Sequence, residues 1–262
     1  MSVARPLIVG LSSGALYPNV MTEDALTIAA DLGFCVVELS LQTVGEYHPL
    51  FLAEIQKRAS DLGLTVYALH IHTRHYHFWS DYRRRRDEAA ALFAEAVHMA
   101  ASLGARCIDW HGLTQAEIKA GVTVETFLDT AAALGERAAS AGVVLSLENV
   151  SWCWMRGAAE IARVRQAGAP VGFTFDPFQA ADAQSDPLAI VGAMGDRVTN
   201  VHASDYAPGR RHLPVSEGNL DWHALLSVLR ATGYGGPLIL EAPQTGGESF
   251  IMQRRYLEGI RD

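Results

Sequence analysis

The sequence predicts a (β/α)8 barrel, because three features recur along its 262 residues. Amphipathic stretches with apolar residues at helical spacing alternate with short runs rich in Val, Ile, Leu and Phe. A glycine of the kind that ends a helix stands before every run except the first. Eight such runs in about 250 residues match the strand count of this barrel, whose strands are buried on both faces.

The predicted strands and helices follow one another in a fixed order. The first run, LIVGLSS, has no helix before it, and each later run ends at or near a polar residue. These polar endings are Glu38, His70 with His72, His111, Glu148, Asp176, His202 and Glu241. EDALTIAADLG, FLAEIQKRASDLG and VETFLDTAAALGERAASAG are predicted helices between the strands, and Thr22 followed by two acids is typical of a helix start.

An open doubly wound sheet is the competing fold for alternating strands and helices. That fold usually carries a glycine-rich phosphate loop after its first strand. Here the first strand leads into LSSGALYP, which contains no GxGxxG motif and so offers no such site for a nucleotide cofactor. We therefore predict a barrel that forms one domain over residues 1–262.

Composition excludes several classes of protein. A net charge of −8 argues against a general nucleic-acid binder, whose affinity for phosphates comes from Lys and Arg. No run approaches the roughly 20 apolar residues that span a membrane, and the first ten residues lack a secretory apolar core. The three cysteines are odd in number and form no CxxC motif. Cys35 and Cys107 lie in apolar runs and are predicted to be packing residues, which fits a cytoplasmic protein.

Four of the predicted strand endings carry side chains that suit a divalent metal. They are Glu148, Asp176, His202 and Glu241, on the fifth to eighth strands. All strand carboxyl ends of a barrel lie on one rim, and three carboxylates there would repel one another without a cation. This oxygen-rich set favours Mn²⁺, Mg²⁺ or Co²⁺, with Zn²⁺ as an alternative. The competing interpretation is that each acid pairs with a neighbouring cation or caps a helix.

The strand endings and the segments around them resemble the sugar isomerase/epimerase superfamily with the xylose isomerase-like TIM barrel, which also contains the apurinic-site endonucleases. The segments that carry the resemblance are LSLEN, FTFDP, NVHASD, RRHLPVSEGNLDW and LILE. The resemblance implies that Glu148, Asp176, His202 and Glu241 bind one divalent ion, with Mn²⁺ favoured. It also implies that Glu148 and Glu241 are the proton-transfer pair.

Further rim residues are candidates for substrate binding. The resemblance implies that His72, His111 and Gln179 fall at positions that contact a sugar. Arg211 is a candidate because its guanidinium can hold a hydroxyl, carboxylate or phosphate through a forked contact, and a solvated loop is the alternative. For His111, a ligand to a second metal and a structural histidine remain alternatives. Gln179 replaces a histidine that both the endonucleases and many isomerases carry, and Arg210 replaces an endonuclease aspartate. Two zinc ligands are therefore missing, which argues against the nuclease.

The favoured function is a metal-dependent isomerase or epimerase of a small keto-sugar, polyol-derived ketone or sugar acid. The reaction would pass through a cis-enediolate, with one carboxylate removing the proton beside the carbonyl and an acid returning it. A dehydratase of the inosose or dehydroshikimate type is the lyase alternative, and a non-catalytic metabolite-binding barrel is the alternative of another class. The expected partner is a sugar-like small molecule, and the resemblance is compatible with a homo-oligomer.

Overall fold

The computed structural model describes residues 7–243 and 246–260 of the chain. The strands within these residues are β1 (Val9–Ser12), β2 (Val36–Leu41), β3 (Thr65–Ile71), β4 (Cys107–Trp110), β5 (Val144–Glu148), β6 (Val171–Phe175), β7 (Val198–Ala203), β8 (Asp205–Ala207), β9 (Arg210–Leu213) and β10 (Leu238–Leu240). Residues 1–6, which belong to the segment predicted to carry no secretion signal, lie outside the described part.

The described strands confirm the predicted barrel. Eight of them are parallel and close in the order β1–β10–β7–β6–β5–β4–β3–β2, with β1 pairing β2 to complete the ring. The eighth barrel strand in chain order is thus β10. The remaining two, β8 and β9, form an antiparallel hairpin between β7 and the next helix, which the sequence interpretation did not include.

Helices connect the strands and cover the outside of the barrel. Within the described residues they are α1 (Thr22–Asp31), α2 (Pro49–Leu62), α3 (Arg83–Leu103), α4 (Gln115–Lys119), α5 (Val124–Ser140), α6 (Ala158–Gln166), α7 (Pro177–Asp182), α8 (Pro187–Met194), α9 (Trp222–Ala231) and α10 (Gly247–Gly259). Gly63 and Gly104 end α2 and α3 with φ angles of 66° and 67°, the left-handed conformation that glycine adopts without a Cβ clash. Across this part of the chain, no helix is long and apolar enough to cross a membrane.

The side chains of each strand alternate between the helix layer and the barrel interior. In β4, Trp110 faces outward and is fully buried against Trp79 and Phe127. The preceding Asp109 faces inward and is equally buried. This alternation is the period-2 geometry of a strand, and it decides which residues reach the interior.

The interior of the barrel contains a layer of hydrogen-bonded polar side chains. The Ser146 hydroxyl lies 2.6 Å from the hydroxyls of both Thr174 and Thr199. Thr174 also donates to the carboxylate of Asp109. These groups are buried and satisfy one another, as buried polar groups must if they are not to destabilise the fold.

Two sequence-based expectations about individual residues are wrong. Strand β2 does not end at Glu38 but continues to Leu41, so Glu38 lies below the rim, inside the barrel. A register shift between Val37 and Glu38 accompanies this placement. Cys35 is exposed just before β2 and is not a packing residue, whereas Cys107 is buried as expected.

Candidate metal centre

The structure brings the four predicted metal ligands together at the carboxyl ends of four neighbouring strands. Glu148 is the last residue of β5, and Asp176 directly follows β6. His202 lies near the end of β7, and Glu241 directly follows β10. One potential ligand atom from each of the four lies within 4.8 Å of the others. The polar strand endings therefore converge, as the topology of a barrel requires.

Asp176 is held in place by its neighbours on both sides. Asn149, one residue beyond β5, donates from Nδ2 to the Asp176 carbonyl at 2.7 Å and accepts from the Asp176 amide at 2.8 Å. Asp176 Oδ1 accepts from the Gln179 amide at 3.0 Å and so caps α7. One carboxylate oxygen of Asp176 therefore caps a helix, as the competing interpretation predicted. The other oxygen remains for a ligand.

His202 connects the rim to the interior. Its Nδ1 atom lies 3.3 Å from Glu148 Oε1 and 3.0 Å from Glu241 Oε2. Its Nε2 atom lies 3.0 Å from Glu38 Oε2, on the interior side. The ring is completely buried, so both nitrogens meet carboxylates in a site shielded from solvent.

The charges of the site shift the pKa values of its members strongly. Burial opposes ionisation of His202, but Glu241, Glu38 and Glu148 together raise its pKa well above the ordinary value. Burial would raise the pKa of Glu148, yet His202 and His111 lower it to about 2.

The pKa of Asp176 shifts in the opposite direction from that of Glu148. Burial raises its pKa well above the ordinary value, and the charges of Glu148 and Glu241 raise it further. Without a cation at the rim, the environment therefore favours the protonated forms of Asp176 and His202.

Two orphaned carboxylate oxygens show that the site fits a cation. Among the described residues, Asp176 Oδ2 and Glu148 Oε2 are buried and make no hydrogen bond. A buried ionised oxygen without a partner is costly, and a divalent ion is the partner that hard oxygen donors prefer. Three carboxylates and one imidazole suit Mn²⁺ or a similar ion better than a thiolate-seeking metal.

Histidines of β3 and the loop after β4 form one wall of the site. His70 Nε2 lies 2.7 Å from His111 Nε2, and both nitrogens approach Glu148 Oε2, at 3.6 and 3.2 Å. His72 contacts Ser40 through Nε2 at 3.1 Å. Burial, aided by the neighbouring histidines, lowers the pKa of His72 to about 2, so its ring is neutral.

The two histidines predicted to bind substrate differ in position. His111 is only partly buried, lies beside Glu148 and makes an edge-to-face contact with the exposed Trp152 ring. His72 is packed beside His70 and stands farther along the same wall. His111 is thus adjacent to the candidate metal ligands, whereas His70 stands between His72 and those residues.

Gln179 and Arg211 lie on the opposite side of the mouth. Gln179 is buried in α7, and its Oε1 accepts from the Ser151 amide at 3.0 Å. Arg211 belongs to the hairpin and pairs with Asp182 at 2.7 Å. A cavity of about 720 Å³ lies beside this part of the mouth and is lined by residues that include Ser151, Asp182 and Arg211. In this arrangement Gln179 fixes a loop, and Arg211 faces the cavity rather than the four ligands.

The sequence interpretation missed the polar residues beneath the rim. Asn200 Nδ2 donates to Glu38 Oε2 at 2.8 Å and to Asp109 Oδ2 at 2.7 Å. A usable signal exists for Asn200: it stands two residues before His202 in the same strand, so both must face the interior.

Comparisons with known proteins agree with the geometry. The family model described as "Xylose isomerase-like TIM barrel" matches residues 26–260. A putative L-ribulose-5-phosphate 3-epimerase of Escherichia coli is 24% identical over 272 residues, covering 95% of each chain. A 3-dehydroshikimate dehydratase of Pseudomonas putida is 28% identical over 149 residues, which cover 52% of this chain but only 24% of the dehydratase. The D-psicose 3-epimerase of Clostridium cellulolyticum, solved with D-tagatose, superposes with a TM-score of 0.78 at 14% identity over 97% of this chain and 99% of that one.

Proposed function

Because this chain belongs to the xylose isomerase-like TIM barrel family, we propose that it is a divalent-metal-dependent epimerase or isomerase of a small keto-sugar or related sugar acid. The observation that carries the proposal is the placement of Glu148 and Glu241. They stand on β5 and β10, which β6 and β7 separate in the barrel wall, yet both approach His202 Nδ1. Two carboxylates on different sides of one small space are the arrangement that two-base proton transfer needs.

The chemistry assigns complementary roles to the two glutamates. One carboxylate removes the proton from the carbon beside the substrate carbonyl, which leaves an enediolate. The other returns a proton to the opposite face, which inverts that carbon. The pKa of Glu148 is lowered by His202 and His111 against the effect of burial, and that of Glu241 is lowered by His202 in the same way. Each is therefore suited to act as the ionised base, and the glutamate that serves as the acid must first take up a proton from solvent.

The proposed metal site consists of Glu148, Asp176, His202 and Glu241. When bound there, a divalent ion supplies a Lewis acid that polarises the substrate's oxygens and offsets the developing negative charge. The orphaned oxygens of Asp176 and Glu148 support this assignment. We propose Mn²⁺ as the ion because the donor set is mostly carboxylate, with Mg²⁺, Co²⁺ and Zn²⁺ as alternatives to be compared.

Substrate binding is proposed for the residues around the mouth. His111 stands beside Glu148, where it can hydrogen-bond a sugar hydroxyl, and His72 extends the same wall. Gln179 borders the mouth between Asp176 and Ser151. Arg211 faces the outer cavity, where it would meet the far end of a longer substrate. A sugar-sized ligand, a cytoplasmic location and a homo-oligomeric state remain proposals for this protein.

The proposal is tested with a panel of ketoses and sugar acids in D₂O, using protein stripped of metal and reloaded with Mn²⁺. We expect deuterium to enter the carbon beside the carbonyl, with inversion at that carbon or movement of the carbonyl. Glu148→Gln and Glu241→Gln should each abolish this exchange. The exposed substitution Glu95→Gln on α3 provides the control. If the wild type binds no divalent ion and exchanges no proton in any substrate, the proposal is wrong.

A dehydratase is the second candidate, and the similarity to 3-dehydroshikimate dehydratase over 149 residues favours it. One carboxylate of the same pair would remove the proton, and the enolate would then expel a β-hydroxyl, which takes a proton from the other carboxyl group and leaves as water. Product analysis in D₂O separates the two. A conjugated enone absorbance with loss of water would support the lyase.

A further inference from the structure

We infer that Glu38 is a positioning residue that fixes the tautomer of His202 and thereby presents Nδ1 to the metal. This inference rests on the proposed function, because it concerns how the chain prepares one ligand of the proposed metal site. It adds a residue from β2, which β1 and β10 separate from β7 in the barrel wall, to the four proposed ligands at the rim.

Glu38 is held rigidly in the interior of the barrel. It is completely buried, and both of its carboxylate oxygens accept hydrogen bonds. Oε1 accepts from the Ser12 hydroxyl at 3.0 Å, and Oε2 accepts from Asn200 Nδ2 at 2.8 Å. Oε2 also lies 3.0 Å from His202 Nε2. The carboxylate is therefore fixed independently of the imidazole that it contacts.

The contact between Glu38 and His202 determines which ring nitrogen carries the proton. An ionised carboxylate can only accept a hydrogen bond, so His202 Nε2 must donate. In the neutral ring this leaves the lone pair on Nδ1, the atom that faces Glu148 and Glu241. Only the nitrogen with a free lone pair can bind a metal, and a carboxylate partner on the other nitrogen also increases its basicity.

The hydrogen bonds of Glu38 argue for positioning rather than direct ligation. Both Glu38 oxygens already have donors, whereas Glu148 Oε2 and Asp176 Oδ2 have none among the described residues. Glu38 also lies below His202, away from the rim where a substrate enters. A metal at the rim would meet the Nδ1 side of the ring, and Glu38 contacts the Nε2 side.

The test is a Mn²⁺ titration of four proteins, in which the electron paramagnetic resonance of the free ion reports binding. Glu38→Met keeps the size of the side chain but removes the acceptor, and we expect Mn²⁺ affinity to fall by about 10- to 100-fold. Glu38→Gln retains an acceptor for His202 and should lose less. The control is Asp109→Asn, which alters a carboxylate bound to the same Asn200 but 3.8 Å from His202 Nε2. It should bind Mn²⁺ as the wild type does.

A second measurement does not depend on the folding of any variant. In Zn²⁺-loaded wild-type protein with ¹⁵N-labelled histidine, long-range ¹H–¹⁵N spectra should show His202 protonated at Nε2 and bound to metal at Nδ1. The opposite tautomer would overturn the inference. Unchanged Mn²⁺ affinity in Glu38→Met would also overturn it. So would an equal loss of affinity in Asp109→Asn, because the effect would then come from the polar interior layer as a whole and not from Glu38. If the wild type binds no divalent ion, both the proposed function and this inference are wrong. If the wild type binds the ion but the Glu38 variants behave as the wild type does, only this inference is wrong.

Discussion

Asn149 holds Asp176 by two hydrogen bonds at once, one to its carbonyl and one from its amide, at 2.7 and 2.8 Å. The pair joins the loop after β5 to the end of β6 and orients the Asp176 side chain towards the other candidate ligands. Few side chains other than an amide can donate and accept in this way. The orientation of one candidate metal ligand thus depends on a neighbour outside the candidate set.

The substitution Asn149→Ala should weaken both the fold and the metal site. Two buried backbone groups of Asp176 lose their partners, which should lower the free energy of unfolding by about 2–4 kcal/mol. Mn²⁺ affinity should also fall, since Asp176 would no longer be held in one orientation. Chemical denaturation and calorimetric Mn²⁺ titration measure the two effects. Asn19→Ala, on an exposed turn, is the control. Unchanged metal affinity in a destabilised Asn149→Ala protein would contradict the orienting role.

The substitution Asp176→Asn should separate metal binding from stability. Asparagine can still cap α7, and it removes a carboxyl group that burial, Glu148 and Glu241 hold at a raised pKa. The thermal midpoint of the metal-free protein should therefore not fall. The wild type should gain about 2.7 kcal/mol of stability at a Mn²⁺ concentration 100 times its dissociation constant, and the variant should gain far less. Thermal unfolding with and without Mn²⁺ checks this, and a marked loss of stability in the metal-free variant would be the contrary result.

Metal affinity should depend on pH in a defined direction. Burial and the neighbouring carboxylates raise the pKa of Asp176, and the surrounding carboxylates raise that of His202 against the effect of burial. Both groups therefore carry protons in the metal-free site, and a metal must displace them. Affinity should therefore rise with pH, and the rise should continue above the ordinary pKa of a histidine because the pKa of His202 is raised. Calorimetry in buffers with different heats of ionisation would count the released protons, and the absence of any release would show that the ligands are already ionised.

Asp205 should control the order of the segment that carries Arg211. Its buried carboxylate accepts hydrogen bonds from the backbone amides of Tyr206, Ser216 and Leu220 and from the indole of Trp222. Asp205→Ala leaves these donors unpaired and should cost about 3 kcal/mol of unfolding free energy. Amide hydrogen exchange should accelerate in residues 206–222 more than in β5 or β6.

A second substitution probes Asp205 without removing it. A Cβ atom at Gly218 would lie 2.1 Å from Asp205 Oδ1, so Gly218→Ala must displace the carboxylate. We expect the same local acceleration of hydrogen exchange. The control is Gly192→Ala in α8, where a Cβ atom would have open space around it. Gly209→Ala in the hairpin turn is unsuitable because φ there is 77°, a conformation that strains alanine. An exchange pattern that is uniform across the barrel would contradict the local role of Asp205.

The position of the candidate site was predictable from the sequence because parallel strands end at one rim. Glu148 and Asp176 close the mostly apolar runs VVLSL and VGFTF, so the points where their strands end are clear in the sequence. Glu38 follows a similar run, but Ser40 and Leu41 after it are also compatible with a strand. Local sequence could not show that β2 continues past Glu38, since pairing with β3 extends it.

The hairpin and the interior layer were harder to predict for different reasons. Strand β9 is Arg-Arg-His-Leu and is mostly exposed, so it lacks the apolar pattern that marks a buried strand. The partners of Asn200 come from β2 and β4, and no local periodicity indicates which distant strands face each other. Such contacts are set by the closure of the barrel, which is a tertiary property.

The hydrogen bond between Glu38 and His202 also bears on how the protein folds, because these residues are 164 positions apart in the chain. Bringing such distant segments together costs conformational entropy because a long loop must close. The contact should therefore form late in folding, after most local structure. The contact of Glu38 with His202 needs the closed barrel, in which β1 pairs with β10 and β2 faces β7 across the interior. A metal ion would then slow unfolding of the finished barrel without accelerating its formation, and a fragment lacking β2 would lack the group that sets the His202 tautomer.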